Sequence, residues 1–114
     1  MNKIDEFRKY RSMMNERLLS EDNKVIKRLY SLDTLTYQDS ALDSKTKEML
    51  GLVSSMVLRC DDCIKYHLET CYELGVSKAE IMDIFGVANV VGGTTVIPHT
   101  RRALEFWDLL QKDK

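Results

Sequence analysis

The sequence predicts an all-α fold of about five to six helices, arranged in antiparallel hairpins and assembled into oligomers. Apolar residues recur at helical spacing along the whole chain, and proline occurs once in 114 residues. The C-terminal segment also carries more apolar residues than one helix face can hold, which indicates a subunit interface. Because no repeat or Gly/Ser-rich linker interrupts the chain, residues 1–114 are expected to form one domain.

The first half of the chain predicts three helices. Residues 4–19 place their apolar residues on one side, and residues 20–23 break the chain and cap a second helix over residues 24–35. Residues 31–40 are rich in Ser, Thr and Asp, which favours a loop. A third helix starts near Asp43 or Ser44 and is apolar nearly all round between residues 49 and 58. Such a helix is expected to be buried in the core or between subunits.

The second half predicts three further helices. Cys60 marks the start of the fourth helix, and Gly75 is placed to end it. Ser77 with Glu80 forms a capping box for a fifth helix, which ends near residue 91 before Gly92-Gly93. The last helix covers about residues 95–110, with Pro98 tolerated in its first turn.

Composition excludes several function classes. A net charge of −1 favours neither nucleic acid nor an anionic membrane as a partner. No apolar stretch reaches the ~20 residues that span a bilayer, and the polar, acidic N-terminus does not resemble a signal peptide. The chain is therefore expected in the cytoplasm. Three cysteines are an odd number, which does not suit a disulfide scaffold.

Two cysteines and a histidine line up on one face of the predicted fourth helix. Cys60 and Cys63 are three residues apart, and His67 follows four residues later. The histidine favours Cys63 as the reactive thiol, whereas the helix dipole favours Cys60. Asp61 and Asp62 oppose a thiolate at either position. This spacing is typical of a thiol redox site.

Glu48 lies twelve residues before Cys60 and is separated from it by an almost wholly apolar run. It shares a helix face with Leu52 and Ser55, so it leads into a buried segment. Two interpretations remain: a carboxylate near the thiols, or an ordinary first-turn glutamate that complements the helix dipole.

Zinc is the main chemical alternative. The two cysteines and His67 would supply three ligands, and Cys71, Glu48 or His99 a fourth. Cys71 lies ~16 Å from Cys60 along the helix axis, too far for one ion. We therefore expect no metal and no other cofactor. Cys71 is expected to pack in the core, and His99 to have a structural or interface role.

Glu48 and the Cys60-x-x-Cys63-x-x-x-His67 segment, followed by Gly75, Glu80 and Gly92-Gly93, resemble the carboxymuconolactone decarboxylase/alkylhydroperoxidase D-like family. The resemblance covers about residues 41–110 and is closest to the short single-domain members. It implies an all-helical fold, assembly into dimers, trimers or hexamers, and a thiol-dependent peroxidase activity.

The resemblance also implies a role for each site residue. Glu48, acting through a water and His67, relays a proton away from Cys63. Cys63 reacts with the peroxide, and Cys60 closes the disulfide. The partners implied are a hydroperoxide substrate and an unidentified dithiol reductant.

The chain departs from the peroxidases of this family at Asp62, where those enzymes carry a second histidine. An aspartate at that position would repel a thiolate. Two alternatives therefore stand beside the peroxidase: a lactone decarboxylase, although that branch lacks the cysteine pair, and a non-catalytic oligomeric binding protein with vestigial thiols.

Overall fold

The computed structural model describes residues 2–112, and within them the chain forms six α-helices and no strand. The all-α prediction is confirmed. Met1, Asp113 and Lys114, which belong to the predicted domain 1–114, lie outside the described residues. The helices, in chain order, are α1 (Lys3–Leu19), α2 (Lys24–Thr36), α3 (Ser44–Val57), α4 (Asp61–Glu73), α5 (Lys78–Gly92) and α6 (Ile97–Lys112), with a 3₁₀ turn, Thr94–Val96, before α6.

Side-chain caps explain where five of the helices begin. In each, the residue before the first turn accepts a hydrogen bond from a backbone N–H three residues later, which satisfies a donor that the helix itself cannot. Ser77 and Glu80 form the predicted reciprocal capping box. The capping residues are Asn2, Asn23, Asp43, Cys60 and Ser77.

The helix predicted over residues 24–35 is confirmed as α2, and because it continues to Thr36, the alternative of a loop over residues 31–40 holds only for the second half of that segment. The hydroxyls of Thr34 and Thr36 donate to the carbonyls of Tyr30 and Leu32, each four residues earlier. These side chains are thus satisfied inside the helix and do not compete with its backbone hydrogen bonds. Irregular chain begins only at Tyr37.

The core lies among α3, α4, α5 and α6, with the start of α1 packed against it. The helix α3 buries Glu48, Leu52, Ser55 and Met56, but Leu50 is exposed. One face of α3 meets the core and the opposite face is open in the single chain, so the helix is not wholly buried in the core. Burial of the open face between subunits stays a prediction.

The apolar residues of α6 are used within the chain itself. Phe106, Trp107 and Leu110 are buried. Phe106 packs edge-on against Phe7 of α1, with ring centroids 5.8 Å apart, and Trp107 packs against Tyr72 of α4 at 5.2 Å. These residues therefore give no evidence for a subunit interface, contrary to the expectation from sequence.

Exposed apolar surface occurs instead on α2 and α5. The helix α2 buries no residue and carries an apolar stripe that faces away from the core. Oligomerisation stays a prediction, and the surfaces that favour it are the exposed apolar faces of α2 and α5. The exposed apolar residues of the two helices are Val25, Leu29, Leu32 and Leu35 in α2 and Met82, Val87, Val90 and Val91 in α5. Across residues 2–112, no helix combines the length and apolar character that crossing a bilayer requires.

Candidate thiol redox site

The junction between α3 and α4 sets the position of the thiol pair. Arg59 has a φ of +60°, an unfavourable value for a residue with a side chain, and it turns the chain between the two helices. The N–H of Cys60 donates to the carbonyl of Ser55 at 3.1 Å. The Arg59 guanidinium donates to Thr95 Oγ1 at 3.0 Å and to the Gly92 carbonyl at 3.1 Å. These bonds fix the turn to the α5–α6 connection and offset its backbone strain.

Glu48 and His67 form a buried pair between α3 and α4. Glu48 Oε1 lies 2.7 Å from His67 Nδ1, and the two residues are only 2% and 7% exposed. Because an ionised carboxylate can only accept, the proton of the pair is assigned to Nδ1. The other ring nitrogen, Nε2, is then left with a lone pair that can accept a proton.

The Nε2 atom of His67 faces Tyr37, the residue that ends α2. The Tyr37 hydroxyl lies 3.5 Å from Nε2, and the two ring centroids are 5.3 Å apart. A Cβ atom at Gly51 would come within 2.7 Å of His67 Cε1 and 2.8 Å of the Tyr37 hydroxyl. The absence of a side chain at Gly51 is therefore what lets these groups meet over α3.

The two cysteines of the motif lie at the first turn of α4, close to each other. Cys60 is the helix cap, and its Sγ accepts the N–H of Cys63 at 3.3 Å. Cys60 is half-buried and Cys63 is exposed. Both are free thiols, so the site is described in its reduced form.

The environment of Cys63 opposes its ionisation. Desolvation by burial is the largest cause, followed by the hydrogen bond and charge of Cys60 and the charge of Asp62, and together they raise the pKa of Cys63 to about 11. The repulsion by Asp62 anticipated from sequence is therefore present. Little thiolate exists at neutral pH unless a base removes the proton.

Cys63 and His67 line one cavity of about 220 Å³. Among the hydrogen bonds of residues 2–112, none joins their side chains directly. The cavity is large enough for several water molecules or a small hydroperoxide between the thiol and the imidazole. Its other lining residues are Arg11, Asp33, Asp62 and Tyr66.

A second cleft, of about 510 Å³, opens on the other side of His67. Its walls are formed mainly by the exposed face of α3 and by Tyr37. Leu50 and Leu58 line this cleft together with Lys47 and Ser54. His67 thus lines both this cleft and the cavity at Cys63.

Asp61 and Asp62 have different surroundings although they are neighbours in the chain. Asp61 Oδ1 lies 2.8 Å from His99 Nδ1, and Asp61 Oδ2 accepts a hydrogen bond from Arg102 Nε at 3.0 Å. Burial alone would raise the pKa of Asp61, but these two partners outweigh it, and the pKa is lowered. Through this contact His99 ties α6 to the start of α4.

Cys71 is fully buried in the core, as expected from sequence. Burial is the main cause that raises its pKa to about 12. Within residues 2–112, no group of three or more His, Cys, Asp or Glu side chains is arranged to hold a metal ion. Of the zinc ligands considered above, Glu48 binds His67 and His99 binds Asp61.

Sequence reasoning did not identify Tyr37, Gly51 or Arg11 as part of the site. Gly51 gave a usable signal, because a glycine inside an apolar helix is unfavourable unless something packs closely against it. Tyr37 and Arg11 gave none, since both reach the site from outside the motif. Arg11 stacks over the Tyr66 ring, 4.1 Å from its centroid.

The fold and the site define an all-helical protein with a paired-thiol motif and a buried glutamate–histidine pair. The sequence profile of the carboxymuconolactone decarboxylase family matches residues 24–106. The chain belongs to this family. The whole of α1, including Arg11, precedes the matched residues.

Solved structures of the family share this fold. A family member from Thermotoga maritima, described in connection with an antioxidative response, is 47% identical with a TM-score of 0.90, over 94% of this chain and 91% of that one. A member from Legionella pneumophila has a TM-score of 0.87 over 96% and 98% of the two chains, but at 24% identity it supports the fold alone. An uncharacterized Paracoccus denitrificans protein of the cox locus is 27% identical over 68% of this chain and 70% of its own length.

Proposed function

We propose that this protein is a thiol-dependent peroxidase that reduces hydroperoxides through a Cys60–Cys63 disulfide. One observation carries the proposal: His67, whose imidazole pairs with the buried Glu48, lines the same cavity as the exposed Cys63. The antioxidative context of the Thermotoga maritima relative supports it. A disulfide-based activity also suits a reducing compartment such as the cytoplasm, where free thiols are regenerated.

The first step is removal of the Cys63 proton. Because its pKa is raised to about 11, the thiol needs a base at neutral pH. His67 Nε2 takes the proton through a water molecule in the shared cavity. The imidazolium that forms is stabilised by the buried Glu48 carboxylate on the other side of the ring.

The oxidation and reduction steps that follow need only the two thiols, the hydroperoxide and a dithiol partner. The Cys63 thiolate attacks one peroxide oxygen, the O–O bond breaks, and the alkoxide leaves as an alcohol with the proton from His67. Cys63 is oxidised to a sulfenic acid. The Cys60 thiol then attacks that sulfur, a disulfide forms, and water leaves. A dithiol partner restores both thiols by exchange and becomes a disulfide itself.

The proposal includes a homo-oligomer, and the exposed apolar residues of α2 and α5 support it. A lone monomer would leave both surfaces in water, which is unfavourable. Light scattering on the eluting protein gives the molar mass directly. A monomer at every concentration would remove this part of the proposal and leave the thiol chemistry untouched.

The raised pKa of Cys63 is the specific observation that favours a second candidate, a binding protein whose thiols do not turn over. Asp62 contributes to that shift where the peroxidases of this family carry a histidine. The two candidates differ in one result. Only the peroxidase consumes peroxide in proportion to a dithiol reductant.

The experiment follows hydroperoxide consumption and disulfide formation with dithiothreitol as the reductant. After the reductant is removed, one equivalent of peroxide is expected to take two hydrogens from the wild type, with the new disulfide mapped to Cys60 and Cys63, and to leave Cys60→Ser at the sulfenic acid. With dithiothreitol present, Cys63→Ser is expected to abolish turnover. Cys71→Ala, which removes a buried thiol of the same helix, is the matched control and should turn over normally. Equal peroxide loss in wild type and Cys63→Ser would refute the peroxidase.

A further inference from the structure

Asp61, which lies between the two cysteines of the motif, forms a cluster with two side chains of α6. The Asp61 carboxylate bridges two residues of α6, with His99 Nδ1 on one oxygen at 2.8 Å and Arg102 Nε on the other at 3.0 Å. Arg102 Nη2 also lies 3.2 Å from His99 Nδ1. The His99 proton is assigned to the bond with Asp61, because that carboxylate can only accept.

The carboxylate that this cluster binds belongs to Asp61, which is adjacent to Cys60 in the sequence. Asp61 is the first residue of α4 and follows Cys60, which caps that helix. An unpaired carboxylate there would oppose a thiolate at either cysteine. Asp62 is not held in this way, and its charge is among the causes that raise the pKa of Cys63. The chain therefore neutralises one of two adjacent acidic residues.

We propose that His99 and Arg102 are positioning residues of the thiol site, which bind the Asp61 carboxylate and keep its charge from suppressing the Cys60 and Cys63 thiolates. This inference rests on the proposed function for its purpose, but its physical claim concerns thiol reactivity alone. The cluster also explains why α6, distant in sequence, is tied to the first turn of α4.

The test measures alkylation of each cysteine by iodoacetamide at fixed pH, resolved by peptide mass spectrometry on the reduced protein. In Arg102→Gln, the thiolate fraction of Cys60 and Cys63 should fall, and alkylation should slow by about three- to tenfold, which corresponds to roughly 0.5 to 1 pKa unit. Arg102→Lys keeps the charge and should recover most of the rate. Arg101→Gln is the matched control, because it removes the same charge from the adjacent position of α6 without touching Asp61.

A double variant separates charge from structure. Asp61→Asn removes the negative charge that Arg102 binds. The cysteines of the double variant, Asp61→Asn with Arg102→Gln, should therefore be alkylated at the wild-type rate. Alkylation that stays slow in the double variant would overturn the proposal, because the effect would then be structural. Equal rates in Arg102→Gln and Arg101→Gln would also overturn it. Cys71, buried in the same helix, reports any unfolding by becoming reactive.

The outcome is independent of peroxide turnover. If peroxide forms no disulfide in the wild type but Arg102→Gln still slows alkylation, the proposed function fails and the positioning role stands. If the wild type turns over peroxide but Arg102→Gln is alkylated at the wild-type rate, the proposed function stands and the positioning role fails.

Discussion

The Glu48 carboxylate and His67 Nδ1 lie 2.7 Å apart in the interior, although nineteen residues and a turn separate them in the chain. Their interaction joins α3 to α4 just below the thiol pair. A carboxylate that is 2% exposed would be strongly destabilising without a partner. The pair thus holds the two helices together and leaves Nε2, beside the Tyr37 hydroxyl, as the ring nitrogen that does not bind Glu48.

The first prediction concerns the charge of that pair. Glu48→Gln keeps an oxygen that can accept the Nδ1 proton, but it removes the countercharge from the imidazolium that forms when His67 takes the thiol proton. The rate of peroxide-driven disulfide formation is expected to fall by about 10²-fold, the lower range for loss of general-base assistance. Stopped-flow measurement of that rate checks the prediction. An unchanged rate in a folded variant would exclude Glu48 from the proton relay.

The second prediction concerns the other nitrogen of the same imidazole. Tyr37→Phe removes the hydroxyl 3.5 Å from His67 Nε2 and keeps the ring that packs on the histidine. The ¹⁵N resonance of Nε2 should move toward the position of a nitrogen without a hydrogen bond. The Nδ1 resonance should not move, because Glu48 still binds that atom.

Tyr30→Phe is the control for Tyr37→Phe. It removes a 2.7 Å hydrogen bond from the Tyr30 hydroxyl to Asn15, between α1 and α2, and no contact joins it to His67. Each variant should cost about 1 kcal/mol of unfolding free energy. Only Tyr37→Phe should change the histidine spectrum, and an equal change in both would mean that loosening of α2, and not the lost bond, is responsible.

The third prediction tests the space at Gly51. In Gly51→Ala the new methyl group would lie 2.7 Å from His67 Cε1, so the imidazole or the Tyr37 hydroxyl must move. Overpacking of this kind typically costs 1–3 kcal/mol, or about 2 kcal/mol here. Peroxide-driven disulfide formation should slow as well, because His67 is displaced.

Gly86→Ala is the matched control for Gly51→Ala. Gly86 lies inside α5, and a Cβ there meets nothing within 4 Å. Alanine is the better helix former, so Gly86→Ala should gain about 0.5–1 kcal/mol. Urea unfolding of both variants checks the opposite signs. Stabilisation of both would show that Gly51 is not closely packed against His67.

Local sequence signals predicted the helices well, because caps and apolar periodicity act over a few residues. Asp43 and Ser77 are clear examples, since each cap bonds a backbone group three residues away. The helix expected over residues 24–35 formed, and the alternative of a loop over residues 31–40 fails up to Thr36 because Thr34 and Thr36 bond back to their own helix, which composition alone does not reveal.

Contacts between residues distant in the chain could not be predicted from the sequence. Tyr37 meets His67 across thirty residues, and nothing near Tyr37 marks it as part of a site. The apolar surplus of the last helix was visible, but its partners, Phe7 and Tyr72, belong to distant helices. The sequence alone therefore favoured a subunit interface for apolar residues that in the fold pack against α1 and α4.

The last prediction concerns Cys71 and alkaline pH. Burial raises the pKa of Cys71 from its ordinary value near 9 to about 12. Below pH 9 the thiol is protonated in both the folded and the unfolded chain, so it adds no pH dependence. Above pH 9 the unfolded chain releases this proton and the folded chain keeps it. The free energy of unfolding should then fall with rising pH until about pH 12, where the folded thiol also ionises.

The contribution of this one group approaches 1.4 kcal/mol per pH unit, the value for one proton. Cys71→Val fills a similar volume without a thiol, and other alkaline groups titrate equally in both proteins. Stability measured by urea unfolding between pH 8 and about pH 11 should therefore fall more steeply for the wild type than for Cys71→Val. Parallel curves would mean that Cys71 ionises in the folded protein as readily as in the unfolded chain, and that the core around α4 admits water.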